Sequence, residues 1–235
     1  MPSNFVPLNP VDHGLLKIRA RKDFRLMKDA HVIPLGVHEF FQASAEYPVV
    51  FVKNSENGQF IPVAMMGLKP GENLFVGPEG WEGLYIPMAI RNHPFHLMRN
   101  PQDEEKVMVA IDEKSTTLSL DEGARLFKDD GSRSDILEER MQDLRNHFES
   151  SQLTESFTAL VTGLDLLAQR NLTVEVSGET IDLEGIYFID EVKLNAVPDD
   201  QFLDLRQHGF LPLLYAQMVS VHQIRCLASL QAQRK

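Results

Sequence analysis

The sequence is poor in cysteine, in signal-like segments and in long apolar runs. Its one cysteine, Cys226, excludes an internal disulfide framework and is typical of a reducing compartment. The N-terminal residues lack the basic start and the apolar stretch of a secretory signal peptide. The longest mostly apolar run, at 209–221, is shorter than the roughly 20 residues that a membrane-spanning helix needs. We therefore expect a soluble, cytoplasmic protein with no membrane insertion.

Basic residues are also few, at 23 Lys and Arg against 34 Asp and Glu, which gives a formal net charge of −11. This balance repels phosphate backbones and anionic lipid, so nucleic acid and a bare membrane surface are poor partners. Ordinary solubility explains the acidity itself. The 235 residues are 43% hydrophobic, which is enough for a core in one large domain or in two coupled smaller ones.

Complete motifs for cofactors, metals and catalysis are missing as well. His93 and His96 are three residues apart, but a zinc site needs at least a third protein ligand, and Pro94 interrupts the pair. The glycines at 77–83 match neither the dinucleotide-binding nor the phosphate-loop pattern. The sequence therefore predicts no cofactor, no metal site and no catalytic residue.

Short apolar runs separated by turn residues fill the stretch 47–98. Asn57-Gly58, a strong hairpin signal, follows the first run, and Lys69-Pro70-Gly71 follows the second. A further apolar run at 106–111 barely alternates, which predicts a strand buried on both faces. These patterns predict one antiparallel scaffold of strands between Pro48 and Ile111.

Helical spacing dominates the chain after about residue 131. Apolar residues predict helices at about 135–148, 154–169 and 211–231, and Pro198 and Gly209 bracket a shorter one. Alternation at 172–183 predicts a half-exposed hairpin.

We therefore predict an α+β fold: an antiparallel β-sheet meander with helices and a C-terminal hairpin packed against it. It forms a single domain over 1–235, with a β-rich half (about 1–131) and a helix-rich half (about 132–235).

Two acidic pairs, Asp112-Glu113 and Asp190-Glu191, each directly follow a strand-like run. Carboxylates gathered at strand ends can act as acid and base or can bind a ligand. Solvated strand ends are the commoner explanation. Aromatic residues and arginine are frequent in recognition surfaces. Trp81, Tyr85 and Arg91 lie close to one another in the sequence. The candidate ligand-binding residues are Trp81, Tyr85, Arg91, Asp112, Glu113, Asp190 and Glu191.

The order and spacing of many short motifs, none of them distinctive alone, resemble the SapC family of surface-layer-associated bacterial proteins. The motifs run almost from end to end of the chain: Val6-Pro7-Leu8-Asn9, Tyr47-Pro48-Val49-Val50-Phe51, Pro62-Val63-Ala64-Met65-Met66-Gly67-Leu68, Gly71-Glu72-Asn73-Leu74-Phe75-Val76, Tyr85-Ile86-Pro87, Pro94-Phe95, Ile111-Asp112-Glu113, Gly185-Ile186-Tyr187, Asp190-Glu191-Val192-Lys193-Leu194, and Gly209-Phe210-Leu211 through Tyr215-Ala216.

The resemblance implies a bacterial accessory to surface-layer or envelope protein export, but it implies no activity. Two positions depart from the family's pattern. The family tends to show two arginines and a tyrosine before Pro-Phe, where this chain has Arg91-Asn92-His93. It tends to show Tyr-Ala-His near the end, where this chain has Gln217. A histidine there would be a natural general base, and glutamine cannot take a proton.

Three hypotheses follow. The first is a non-catalytic accessory or binding protein whose partner is an envelope protein, a secreted protein or the export machinery. The second is an enzyme or small-ligand-binding protein that uses the strand-end carboxylates, with Arg91 as an anion anchor. The third is a homodimer formed through the exposed side of the final helix.

Overall fold

A computed structural model describes residues 5–19, 24–100 and 103–234 of the chain. The fold is α+β with antiparallel sheets, as predicted. The strands are β1 (Phe5–Pro7), β2 (Lys17–Ile18), β3 (Val32–Pro34), β4 (Val49–Lys53), β5 (Phe60–Met65), β6 (Val76–Gly77), β7 (Gly80–Trp81), β8 (Phe95–Asn100), β9 (Asp103–Asp112), β10 (Leu118–Ser119), β11 (Ala124–Arg125), β12 (Leu167–Gln169), β13 (Leu172–Val176), β14 (Glu179–Leu183) and β15 (Ile186–Ile189).

The helices are α1 (Pro10–His13), α2 (Phe40–Ser44), α3 (Met88–Arg91), α4 (Asp135–Gly163), α5 (Glu191–Asn195), α6 (Asp199–Gln207), α7 (Leu211–Ser220) and α8 (Ile224–Gln233). Single 3₁₀ turns cover Arg25–Met27, Val37–Glu39 and Val221–Gln223. Among the described residues, no helix is both long enough and apolar enough to cross a membrane.

The contacts divide the chain into two compact units. Unit 1 comprises Met1–Asp23 and Ile90–Glu149, and unit 2 comprises Phe24–Ala89 and Ser150–Lys235. Each unit combines residues from before and after position 131, so the units do not coincide with the two predicted halves. The single domain over 1–235 stays a prediction.

Unit 1 is built on a three-stranded antiparallel sheet in the order β1-β9-β8. Phe95 pairs with Ile111 in the β8–β9 ladder, and both side chains are buried. Phe127 is buried in the same core. The other buried members of this core are Ile18, Leu126, Leu137 and Leu144.

Unit 2 is built on a five-stranded sheet in the order β12-β15-β4-β5-β3. Strands β4 and β5 form the hairpin that Asn57-Gly58 predicts, and Gly58 has a φ of +73°. The hairpin β13–β14 is also confirmed. Its two loop residues, Ser177 and Gly178, both have positive φ, as a type I′ turn requires.

The prediction of one scaffold between Pro48 and Ile111 is wrong. Strands β4 and β5 lie in the five-stranded sheet, β6 and β7 form a separate pair, and β8 and β9 belong to unit 1. The reason is that both edges of β5 are already paired, one with β4 and the other with β3. A following strand has no free edge of β5 to join.

Two predicted helices, at 135–148 and 154–169, are instead one helix, α4, which ends at Gly163. No glycine or proline interrupts it between residues 148 and 154. Hydroxyl groups in its second half bond to carbonyls four residues earlier, as Thr154 does to Ser150 and Thr158 to Thr154. These bonds leave the helix intact through a polar stretch. Residues 167–169, predicted as the helix end, form β12.

Candidate functional site

The 82–87 loop of unit 2, which joins β7 to α3, is held by the carboxylate of Glu46. Oε1 of Glu46 accepts a hydrogen bond from the amide of Leu84 at 2.7 Å, and Oε2 accepts one from the amide of Tyr85 at 2.8 Å. Hydrogen bonds to an ionised acceptor are about twice as strong as neutral ones. One side chain therefore fixes two consecutive peptide groups.

A second carboxylate, that of Glu39, holds the end of the same loop. Its residue is only 1% exposed. Oε1 accepts from the Tyr85 hydroxyl and from the amide of Met88, each at 2.7 Å, and Oε2 accepts from the amide of Gly36 at 2.9 Å. A buried carboxylate needs such donors because burial removes its hydration.

The aromatic residues beneath the loop complete the network. Tyr47 is fully buried, and its hydroxyl donates to the carbonyl of Tyr85. The indole nitrogen of Trp81 donates to that carbonyl at 3.1 Å and lies 3.3 Å from the Tyr47 hydroxyl. Burial, and then the charge of Glu46, raise the pKa of Tyr47 well above its ordinary value. Tyr47 is therefore a neutral donor at any physiological pH.

Position 83 requires glycine because the network leaves no room for a side chain there. A Cβ atom on Gly83 would lie 2.6 Å from the Tyr47 hydroxyl oxygen and 2.7 Å from the indole nitrogen of Trp81. The glycines at 77–83 serve more than one purpose. Gly80 supplies a positive φ, of +124°, whereas Gly83 is needed for close approach.

Leu84 stands at the tip of the loop and is 100% exposed. Isolated exposed apolar residues are common on protein surfaces. This one differs because its own amide and the next are bound by Glu46. The loop therefore presents an apolar side chain from a fixed backbone, which lowers the entropy lost on binding a partner.

The second acidic pair, also in unit 2, has a structural first member. Oδ1 of Asp190 accepts from the amides of Val192 at 2.9 Å and Lys193 at 3.2 Å, which caps the N-terminus of α5. Glu191 is an exposed residue in the first turn of that helix. Asp190 therefore matches the side-chain signature of an N-cap, a signal already present in the sequence.

The first acidic pair belongs to unit 1, and its two members contact different histidines. Oδ2 of Asp112 lies 3.4 Å from Nε2 of His93, and Oε1 of Glu113 lies 3.2 Å from Nε2 of His13. His13 is 100 positions away from Glu113, so no local pattern could have indicated the contact. Each of these carboxylate–histidine contacts offers two ligand atoms, fewer than the three protein ligands of a catalytic zinc site.

The remaining candidates are placed as follows. Arg91 is exposed in the last turn of α3 and belongs to unit 1. Trp81 and Tyr85 are brought together by the hydrogen bond between the Trp81 indole and the Tyr85 carbonyl. The two histidines three residues apart have different surroundings. His93 is half-buried beside Asp112, whereas His96 is exposed and its ring is tilted by 32° to that of Phe5, with ring centroids 5.1 Å apart.

The family model for SapC matches residues 8–227 of this 235-residue chain. The chain belongs to the SapC family. No curated protein and no solved structure matches it significantly.

Position 217, where the resemblance to the SapC family leads us to expect histidine, lies inside unit 2. Gln217 is fully buried; its Oε1 accepts from the amide of Ile189 at 3.1 Å and its Nε2 donates to the carbonyl of Val49 at 2.9 Å. The ladder between β15 and β4 covers only two residue pairs. The amide of Gln217 therefore bridges the two strands where their own ladder has ended.

Sequence reasoning missed the structural importance of Glu39, Glu46 and Gln217. Gln217 and Ser220 did carry a signal, because they are polar residues in the otherwise apolar α7. Ser220 accepts from the amide of Val49 at 2.9 Å. Glu39 carried none, since its partner Tyr85 is 46 positions away.

Proposed function

We propose that this member of the SapC family is a non-catalytic binding protein that acts in the bacterial cytoplasm. Its partner is an envelope or surface-layer protein, or a component of the export machinery, bound before or during export. One observation carries the proposal: Leu84 is fully exposed on a loop whose backbone two carboxylates hold. A few anchor residues supply most of the binding energy of a protein interface, and a preorganised backbone lowers the entropy lost on binding.

The roles of the other nominated side chains support a binding function over a catalytic one. Trp81 donates to a main-chain carbonyl, and Asp190 accepts from main-chain amides. Gln217 is occupied between two strands and cannot act as a base. Acid–base catalysis needs groups within hydrogen-bond reach of a substrate proton, and these side chains are engaged in holding the fold.

A second candidate function, an enzyme or a small-ligand-binding protein, is favoured by the pair of Asp112 and His93. Their side chains are 19% and 13% exposed and lie 3.4 Å apart. A carboxylate that orients an imidazole is the usual arrangement of a general base. If this pair is reactive, Asp112→Asn abolishes turnover of its substrate and leaves partner capture by the 82–87 loop intact.

Co-purification from cells that naturally produce the protein tests the first proposal. We expect the wild-type chain to recover an envelope or export component in stoichiometric amount. Leu84→Ser removes the apolar anchor and leaves Glu46 and Glu39 unchanged. We expect this variant to recover at least about fivefold less partner, which corresponds to a loss of binding free energy above about 1 kcal/mol.

Leu120→Ser serves as the matched control, because Leu120 is 63% exposed and belongs to unit 1. This variant is expected to recover the partner as well as the wild type does. The proposal is wrong if no such component is recovered with the wild type, or if Leu84→Ser and Leu120→Ser recover it equally.

A further inference from the structure

Unit 1 contains a cavity of about 400 Å³ that the proposed function does not use. This volume falls in the range of about 300–1,000 Å³ that is usual for ligand sites. Residues from β1, α1, β8, β9 and α4 and from the loop before α4 line it. They are Pro7, Leu8, Pro10, Leu97, Val107, Met108, Val109, Phe127, Arg133, Leu137, Met141 and Arg145.

The sheet wall of the cavity is an apolar row that continues past the core. Ile111, Val109 and Val107 alternate along β9 and so share one face. Their exposure increases along the row: Ile111 is fully buried, Val109 is half-buried and Val107 is 44% exposed. An apolar face that extends beyond its covering is suited to contact with an apolar group from outside.

The opposite wall comes from α4, where Leu137, Met141 and Arg145 follow each other at intervals of four and therefore share one stripe. The exposure of the side chains also increases along this wall. Leu137 is 1% exposed, Met141 is half-buried and Arg145 is exposed. The cavity is thus apolar at its inner end, and its helix wall ends in a cation.

Two arginines line the cavity in a protein whose net charge is −11. Arg133 lies 3.3 Å from a carboxylate oxygen of Glu138. Arg145 donates to the side-chain oxygen of Gln142 at 3.0 Å. Among the side chains that the structure describes, no carboxylate pairs with Arg145. Its guanidinium therefore retains donors for an incoming anion.

We propose that this cavity binds an aliphatic chain that ends in a carboxylate, a ligand of the fatty-acid class. The methylene chain lies against Leu97, Val107 and Val109, where burial of apolar surface stabilises it. The carboxylate is held by Arg145, with Arg133 as the second cation. Neither contact involves the 82–87 loop, so the site is independent of the proposed protein partner.

Calorimetric titration of the full-length protein with dodecanoate, below its micelle concentration, tests the site. We expect saturable binding of one dodecanoate per chain. Dodecanol, which keeps the tail and loses the charge, binds about tenfold more weakly, because a hydrogen bond to a charged group exceeds one to a neutral group. Dodecyltrimethylammonium, with the opposite charge, does not bind.

Substitutions locate the site. Arg145→Gln weakens dodecanoate binding about fivefold, a modest effect because the guanidinium is exposed to solvent. Val107→Asp, which places a carboxylate on the apolar row, weakens it at least about tenfold by repulsion and desolvation. Arg140→Gln is the matched control on the same helix, since Arg140 does not line the cavity and pairs with Asp143.

The proposal is overturned if dodecanoate shows no saturable binding, if dodecanol binds as tightly, or if Arg145→Gln and Val107→Asp both bind like the wild type. Thermal denaturation of each variant confirms that its fold is retained. Arg145 and Val107 are both exposed enough for these substitutions to leave the core unchanged.

Discussion

The polar side chains of the two units do different work. In unit 2, Glu39, Glu46 and Gln217 bind main-chain amides and carbonyls, and each is satisfied by the fold itself. In unit 1, Asp112 and Glu113 each contact an imidazole side chain, and Asp112 also accepts from the main-chain amide of Lys114 at 3.2 Å. The carboxylates of the two units differ in the number of main-chain amides that each one holds. Glu39 and Glu46 each accept from two amides. Asp112 accepts from one, and the exposed Glu113 contacts a histidine side chain.

The largest expected effect is on Glu39 in unit 2. Glu39→Ala leaves two amides and the Tyr85 hydroxyl without their acceptor, and we expect the free energy of unfolding to fall by about 3 kcal/mol, about 1 kcal/mol for each lost bond. Urea denaturation measures the change. Glu113→Ala in unit 1 removes a side chain that is 46% exposed and should cost under about 1 kcal/mol.

The exposed Glu56 gives the matched control, because Glu56→Ala should change stability by less than about 0.5 kcal/mol. Equal losses for Glu39→Ala and Glu113→Ala would erase the contrast between the two units.

Gln217 tests the same contrast inside the sheet. Gln217→Ala leaves the buried Ile189 amide without its acceptor and leaves the Val49 carbonyl with only the longer, 3.4 Å bond from the Ser220 hydroxyl. We therefore expect a loss of about 2 kcal/mol in the free energy of unfolding. Gln233→Ala, at an exposed site in α8, is expected to be neutral. A Gln217→Ala variant as stable as Gln233→Ala would show that the strands do not need the amide bridge.

Tyr47 gives unit 2 a dependence on alkaline pH. Burial raises its pKa in the folded state, so folding favours the neutral phenol. This contribution is fully present below the unfolded pKa of about 10 and is lost as the pH rises above it, by up to about 1.4 kcal/mol per pH unit. Urea denaturation across this range should show a steeper decline for the wild type than for Tyr47→Phe. Parallel declines would mean that Tyr47 ionises freely in the fold.

The smallest effect concerns the N-cap at Asp190. Asp190→Ala removes both capping bonds of α5 and should lower the free energy of unfolding by about 1 kcal/mol. Asp190→Asn keeps the capping oxygen and should be nearly neutral, since asparagine and aspartate cap equally well. Thermal denaturation distinguishes the two. If the asparagine variant is as unstable as the alanine variant, the charge of Asp190 matters and its cap does not.

Local signals predicted much of the fold. Ser177-Gly178 forms the two-residue turn of its hairpin, with positive φ at both residues. Asn57-Gly58 lies in the six-residue loop 54–59 of the other hairpin, where Gly58 has positive φ. Helical spacing also located α4 and the segment of α7 and α8, although it divided α4 into two helices and extended the second one to residue 169. The arrangement of strands into separate sheets did not follow, because β3 occupies the edge of β5 that a meander needs, and the β3–β5 pairing joins residues about thirty positions apart.

The candidate site was less predictable than the fold. Trp81 and Tyr85 contact each other, but their predicted role in ligand binding stays a prediction. The carboxylates that fix the loop come from residues 39 and 46, which the sequence did not indicate. Contacts of this kind are invisible to periodicity, because they join side chains to a loop backbone tens of residues away. The exposed leucine was likewise hidden, since apolar residues are expected inside.

Hydrogen–deuterium exchange at the amides of Leu84 and Tyr85 tests most directly whether the 82–87 loop is a fixed surface. In the wild type both amides should exchange at least about tenfold more slowly than in Glu46→Ala, the effect of one hydrogen bond of about 1.4 kcal/mol. The amide of Gln59, bonded to Asn57 at 3.0 Å, should exchange equally in both proteins. Rapid exchange of Leu84 and Tyr85 in the wild type, unchanged by the substitution, would contradict a preorganised loop.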